Sequence, residues 1–456
     1  MDREAVSQVV ARQRAFFRTG RTRDLDFRRE QLRALRAIVV DAEPSVFEAL
    51  RADLGKPPFE SYGGETAIVR NEVDYALRHL ASWARPRRAR TLLAHHPGRS
   101  EIRHEPHGVV LVMSPWNYPV QLSLGPLAGA LAAGNCAILK PSPMAPATSR
   151  LLAELVARHF DPGVVTVAEG GIEPAEQLLA ERLDYIFFTG GAKVGRRIME
   201  AAARNLTPLT LELGGKCPCI VDADVDLDVA ARRIAWGKFF NAGQSCVAVD
   251  YLLVDRRIRA ALVERLAATV RQFYGEDPGR SPDLARIVDD RNVERLAGLL
   301  RSGRVAVGGE VDRATRYLAP TILDGVQPGD PIMEEEIFGP ILPVLEYGEI
   351  AEAIAFVNDR PPPLALYFFS RDARLQERVL RETSAAGCIN DVMLHETTVH
   401  LPFGGSGESG MGGYHGRASF EAFSRRRSVL RKGFGFDVSV RYPPYAGKLG
   451  WFRRLF

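Results

Sequence analysis

Val109-Val110-Leu111-Val112-Met113-Ser114-Pro115-Trp116-Asn117-Tyr118-Pro119 is an unbroken apolar run that ends in a Pro-bounded turn carrying one carboxamide. An apolar run of this length closed by turn residues reads as a strand, and a helical stretch at 122–133 follows it. The pattern of strand, loop and helix then recurs. Strands are expected at 108–113, 136–140, 164–167, 185–188 and 209–213, with helices at 122–133, 147–158 and 194–204. Continuous apolar strands alternating with helices call for a parallel sheet covered on both faces, a doubly wound nucleotide-binding type of domain.

Outward from that block the chain changes character twice. Residues 1 to about 85 read as helices, because Leu32, Leu35, Ile38 and Val39, and again Val73, Ala76, Leu77 and Leu80, recur at the helical period. Residues 86–105 are Pro- and Arg-rich and read as a hairpin leaving the domain. After Glu212 the alternation resumes and runs to about Asn390, a second α/β unit with Cys246 near its start. A turn-rich segment at 399–413 and a polar, basic tail from Ser424 close the chain.

The chain has 456 residues, 46% hydrophobic and 25% charged, with a net charge of +4, ordinary values for a soluble globular protein. Basic and acidic residues are interspersed, so no nucleic-acid footprint is present. Five scattered cysteines, Cys136, Cys217, Cys219, Cys246 and Cys388, do not make a disulfide framework, and no second Cys pair or His cluster turns 217–219 into a metal site. The N-terminus lacks a signal-peptide pattern, and no apolar run approaches the roughly 20 residues of a membrane span. A cytoplasmic protein is expected.

Three polar groups stand at strand or loop ends. Phe239-Phe240-Asn241-Ala242-Gly243-Gln244-Ser245-Cys246 presents a thiol after small residues, Leu211-Glu212-Leu213-Gly214-Gly215-Lys216 a carboxylate, and Asn117 a carboxamide. Nucleophile, base and oxyanion donor are what acyl chemistry needs. Phe188-Thr189-Gly190-Gly191-Ala192-Lys193-Val194-Gly195 runs from strand through glycines into a helix, a turn suited to phosphate or to plain chain reversal. Lys140 ends the second strand and reads as a ribose ligand or a solvated surface lysine; the turn Glu334-Glu335-Glu336-Ile337-Phe338-Gly339-Pro340 reads as a solvated patch or as one carboxylate and one ring offered to a ligand.

Taken together, 116–119, 140–142, 189–195, 212–216, 243–246, 336–340 and 402–405 resemble the aldehyde dehydrogenase superfamily in order and spacing, nearly end to end. The stretches 232–239, 409–416 and 441–444 resemble its class 3 branch. The resemblance implies oxidation of aliphatic or aromatic aldehydes to acids with NAD or NADP, usually by a homodimer. It implies two doubly wound α/β domains, cofactor-binding (1–85 with 106–211) and catalytic (212–398). A small β bridging and oligomerisation element (86–105 and 399–456) accompanies them. It makes Cys246 the nucleophile, Glu212 the base and Asn117 the oxyanion donor. Lys140 and Glu336 become ribose ligands, Gly190, Gly191, Ala192, Lys193, Val194 and Gly195 the pyrophosphate turn, and Trp116 and Phe338 cofactor-side contacts.

Two departures from the family bear on specificity. Pro143 stands where many relatives carry Glu, so no carboxylate there accepts a ribose diol or repels a 2′-phosphate, and NADP is expected to serve at least as well as NAD. His395-Glu396-Thr397-Thr398 is more polar than in class 3 relatives, which argues against a long-chain preference. The tail 448–456 is basic and aromatic but short, and is expected to pack on its own subunit or a partner, with interfacial membrane contact as the alternative. Within enzymes the runner-up is a coenzyme A-acylating or acyl-reducing relative; a silent structural homologue is disfavoured by the presence of all three reactive groups.

Overall fold

The computed structural model describes residues 3–437 and 439–453. Val109–Met113 is the hub of a six-stranded sheet ordered Gly410–Met411, Leu209–Glu212, Tyr185–Thr189, Val109–Met113, Cys136–Lys140, Val165–Val167. Neighbours are parallel except Gly410–Met411, which pairs antiparallel with Leu209–Glu212. Alternate residues of the hub serve opposite cores: Val110 and Val112 face one cluster with Ala137 and Leu139, while Val109, Leu111 and Met113 face another with Ile138. Burial of each such side chain is worth on the order of 1.5–3 kcal/mol. This two-sided burial explains why the strand is apolar throughout rather than alternating.

From the hub the chain moves outward through Cys136–Lys140 and Val165–Val167, then crosses back to Tyr185–Thr189 on the hub's other side. The reversal opens a crevice at the carboxyl ends of Val109–Met113 and Tyr185–Thr189, where the turns 114–119 and 189–191 meet. Helix Gln121–Ala133, buried at every position, packs behind it. Helix Ile172–Ala180 is an addition to the elements expected from sequence.

The second sheet has seven strands, ordered Arg304–Val307, Thr321–Asp324, Ile341–Tyr347, Tyr251–Asp255, Pro218–Val221, Ala365–Phe369, Ala386–Ile389, all parallel except the first pair. A third, antiparallel sheet joins Arg87–Ala89, Arg99–Pro106 and Ser424–Arg431. Ser424 onward is therefore a strand where the sequence reads as tail. Its charges are matched across the ladder, Arg425 and Arg427 to Glu105 and Arg431 to Glu101.

Beyond it, Tyr445 and Trp451 are 65% and 68% exposed, so packing on their own chain does not account for these rings. Arg454, Leu455 and Phe456 lie outside the described residues. No described helix is long and apolar enough to cross a membrane.

Candidate active site

Cys246 is delivered by an unusual turn. After helix Leu227–Phe239 three successive residues take left-handed conformations, Asn241 (φ 54), Ala242 (φ 52) and Gly243 (φ 72). Such geometry is costly for side-chain-bearing residues and must be held from outside. Asn241 N donates to Glu60 Oε2 (2.9 Å) and Asn241 Nδ2 to the Asn117 carbonyl (2.9 Å). Gln244 Nε2 donates to the carbonyls of Asn241 and Arg286, both at 3.0 Å, and its Oε1 accepts from Val288 N. At Gly243 a Cβ would lie 2.3 Å from the Gly339 carbonyl oxygen, so only glycine passes there.

Asn117 sits on the turn that leaves the hub strand, and a buried ion pair fixes that turn. Lys56 Nζ donates to Glu65 Oε1 (2.7 Å) and to the Asn117 carbonyl (2.9 Å), with neither charged side chain exposed. Glu65 Oε2 accepts from Val120 N and Gln121 N at 3.0 and 2.8 Å, and the ammonium lies 4.3 Å from the Tyr118 ring centre. Asn117 Nδ2 donates to the Gln244 carbonyl (3.1 Å), tying the amide to the loop that carries the thiol. Its second N–H is available for another acceptor.

Glu212 ends its strand beside Thr189 and Gly410. It is 2% exposed, and neither carboxylate oxygen has a hydrogen-bond partner among the described residues. Burial first, and then the nearby Glu396 carboxylate, push its pKa well above the usual range. The half-buried Cys246 thiol is likewise pushed up, by burial and then by Glu336, Glu396, Cys217 and Glu212.

Two cavities meet at Cys246 and Glu212. One, about 280 Å³, is mostly apolar, with Leu122, Trp236, Phe240 and Met393 in its wall. The other, about 260 Å³, is lined by Trp116, Asn117, Gly190, Gly191, Gly214, Asn292, Glu336 and Phe338. The sequence-derived trio thus converges on one point, with Asn117 on the second side.

The second cavity has the features of a nucleotide slot. Trp116 and Phe338 meet edge to face at 5.3 Å, and Phe338 itself has φ 51. Glu336 Oε1 is buried and unpartnered, and burial, then Asp250, raises its pKa to about 8. A Cβ on Gly214 would fall 2.1 Å from Glu336 Oε2, so the glycine makes room for that carboxylate. Ala192 and Lys193 line a third cavity of about 570 Å³ that continues past Gly191 and Glu336. Gly191 caps helix Ala192–Ala203, leaving its first N–H groups for an anion.

Lys140 is no surface lysine. It is 4% exposed, and its Nζ donates to the Gly170 (2.6 Å) and Pro141 (3.0 Å) carbonyls. It stands outside the walls of all three cavities, as do Val194 and Gly195, and a Cβ on Gly195 would strike Leu213 at 2.8 Å. Gln121, Trp236, Phe240, Asn292 and Tyr414 are lining residues to which sequence reasoning gives no role; Trp236 and Tyr414 already stand inside family-like stretches, whereas Gln121 and Asn292 carry no such signal.

Comparison with known proteins identifies the family. The profile of the Aldehyde dehydrogenase family matches residues 1–429. Aldehyde dehydrogenase family 3 member A2 of Mus musculus is 48% identical over 450 residues, 98% of this chain and 93% of its own length. The Rattus norvegicus enzyme described as "Aldehyde dehydrogenase, dimeric NADP-preferring" is 46% identical over 448 residues, 98% of this chain and 99% of its own. The substrate-bound structure of Staphylococcus aureus AldH superposes with a TM-score of 0.97 at 43% identity, covering 99% of both chains. Matches of this extent make the chain a member of the aldehyde dehydrogenase family, an oxidoreductase that acts on aldehydes with NAD or NADP.

Proposed function

We propose that Cys246 is the nucleophile, Asn117 the oxyanion donor and Glu212 the general base of a non-acylating oxidation of aliphatic or aromatic aldehydes to acids. The observation that carries this reading is Glu212 itself, a buried carboxylate with both oxygens unpartnered beside the thiol in a shared cavity. The Cys246 thiol gives up its proton to solvent, the thiolate adds to the carbonyl carbon, and the carbonyl oxygen becomes the thiohemiacetal oxyanion. The free Asn117 N–H stabilises that charge, a contribution typically worth about 10²–10³ in rate. A nicotinamide cofactor held beside Cys246 would supply the hydride acceptor that this oxidation requires.

The Cys246 thioester left behind needs an activated water. Glu212 takes the water's proton, for which a carboxyl with an upward-shifted pKa is suited. Transfer to coenzyme A instead would leave that carboxylate with no task. Glu336 Oε1, the Gly191–Lys193 turn, Trp116 and Phe338 would hold the cofactor through a ribose hydroxyl, its phosphates and its ring.

We further read the protein as accepting NADP at least as well as NAD, as a homodimer and as cytoplasmic. Pro143 supports the first, since it offers no carboxylate against a 2′-phosphate; the name of the rat relative supports the first two. Five unpaired cysteines support the last. The test is NAD(P)H formation at 340 nm over a panel of aldehydes with each cofactor, for wild type, Cys246→Ala and Glu212→Gln. Turnover lost in both variants is expected. Full activity in Cys246→Ala overturns the thiol role, and a KM for NADP more than about tenfold above that for NAD, about 1.4 kcal/mol, overturns the cofactor reading.

A further inference from the structure

The aldehyde-side cavity contains a polar group for which the chemistry above has no use. Glu212 and Glu396 are the only charged residues among those lining it, and no Lys or Arg faces it among the described residues. Glu396 comes from the loop after strand Ala386–Ile389, remote in sequence from the other reactive groups.

Its Oε1 is supported from behind: Gln121 Nε2 lies at 3.4 Å and His415 Nε2 at 3.9 Å. His415 is anchored in turn, Nδ1 to Glu72 Oε1 at 2.6 Å, and its buried Nε2 has no hydrogen-bond partner among the described residues. Gln121 Nε2 is also 3.5 Å from the Tyr414 hydroxyl. Among the described residues the one hydrogen bond to the Glu396 carboxylate goes to Oε1, which leaves Oε2 to the cavity. Gln121, Tyr414 and Thr397 line the same cavity, so the acid sits in a small polar patch on an apolar wall.

An acceptor in an apolar wall is costly unless something satisfies it, and a substrate donor is the group that arrives there. We infer that Glu396 is a specificity-determining residue that selects aldehydes bearing a hydroxyl on the body of the molecule over alkyl aldehydes of equal size, and disfavours aldehydes that also bear a carboxylate. This rests on the aldehyde-oxidising reading above. The hydroxyl donates to Glu396, whose carbonyl-type oxygen accepts whether or not the acid carries a proton. A substrate carboxylate meets two acids and no cation, so it is repelled unless it or a facing acid carries a proton, a requirement that the hydroxyl does not face.

Three matched aldehydes test this: 4-methylbenzaldehyde, 4-(hydroxymethyl)benzaldehyde and 4-formylbenzoate. They share a rigid ring, and an apolar cavity of about 150 Å³ is known to admit benzene. Wild-type kcat/KM is expected to favour the hydroxymethyl over the methyl compound by about five- to tenfold, the scale of one hydrogen bond, with the carboxylate poorest. In Glu396→Leu the first ratio should fall to one or below and the carboxylate should gain relative to methyl.

Glu396→Gln keeps the shape and an acceptor, so it should relieve carboxylate discrimination while retaining most of the hydroxyl preference. A purely structural role would move all three aldehydes together. Unchanged ratios in the variants, or a wild-type preference for methyl, overturn the inference while the aldehyde-oxidising reading stands. Turnover of none of the three, nor of any other aldehyde, overturns both.

Discussion

Lys56→Met is the perturbation that most directly tests how the proposed oxyanion donor, Asn117, is held. The ammonium is fully buried between Glu65 Oε1 and the Asn117 carbonyl, over the Tyr118 ring. Methionine is unbranched and neutral and only one heavy atom shorter, so the main loss is the charge and its donors. Glu65 is then a buried carboxyl without its cation, and breaking one side of a buried pair costs about 3–5 kcal/mol. The Asn117 carbonyl keeps only Asn241 Nδ2, so the turn loosens where the oxyanion donor is carried. Expected outcomes are an unfolding free energy about 3–5 kcal/mol lower by urea titration and a kcat fall approaching the 10²–10³ seen for loss of an oxyanion donor, with aldehyde KM little changed.

The pH dependence has a definite sign. Burial raises the Glu65 pKa and Lys56 opposes that rise. Without Lys56 the carboxyl keeps its proton in the folded state to higher pH than in the unfolded chain. Stability held at low pH is then lost as pH climbs from the unfolded value through the folded one, so the deficit against wild type should widen on going from acid to neutral. Lys56→Met/Glu65→Gln, which removes the buried charge but keeps an acceptor for Val120 N and Gln121 N, should recover much of the stability without recovering kcat. A single variant within about 1 kcal/mol of wild type and within twofold in kcat would refute the argument.

Glu212→Gln should still release a burst of NAD(P)H and then stall as the acyl-enzyme, with steady-state turnover down about 10²–10⁴; quenched-flow and mass measurement of the Cys246 adduct check this. Because the base proposed in Glu212 would work only when ionised and its pKa is raised, thioester hydrolysis should fall as pH drops through that raised value, above the ordinary carboxylate range; the limb should vanish in the glutamine variant. Gly243→Ala places a Cβ against the Gly339 carbonyl at φ +72, so a loss of at least about 2 kcal/mol in stability is expected, read by thermal unfolding.

What was readable in the chain was whatever depends on local pattern. Cys136–Lys140 appears with the bounds its apolar run implied, and Val109–Met113 and Leu209–Glu212 differ from expectation by one residue at an end. The unbroken apolar run bounded by turn residues reveals such elements because both faces are buried. The burial of Lys140 was not readable, since Gly170, which supplies its acceptor, is thirty residues on. Nor was the left-handed run at Asn241 and Ala242, which has no side-chain signature and depends on Glu60 and Asn117. Glu396 stood out as an odd residue, but its setting depends on a His415–Glu72 contact spanning 343 positions. Ser424–Arg431 looked like tail because an edge strand with exposed arginines lacks the apolar alternation that marks a strand.

The short strand Gly410–Met411 lies against Leu209–Glu212, and Leu213 N donates to the Ser409 carbonyl. The strand carrying the base is therefore an open edge until residues some two hundred positions later have been made. During synthesis the N-terminal part can collapse around its hub while Glu212 still flanks an unpaired, aggregation-prone edge. On the proposed roles, the strand that carries the base is complete only once residues 409–411 have been made, so a chain cut short of them should turn over little aldehyde.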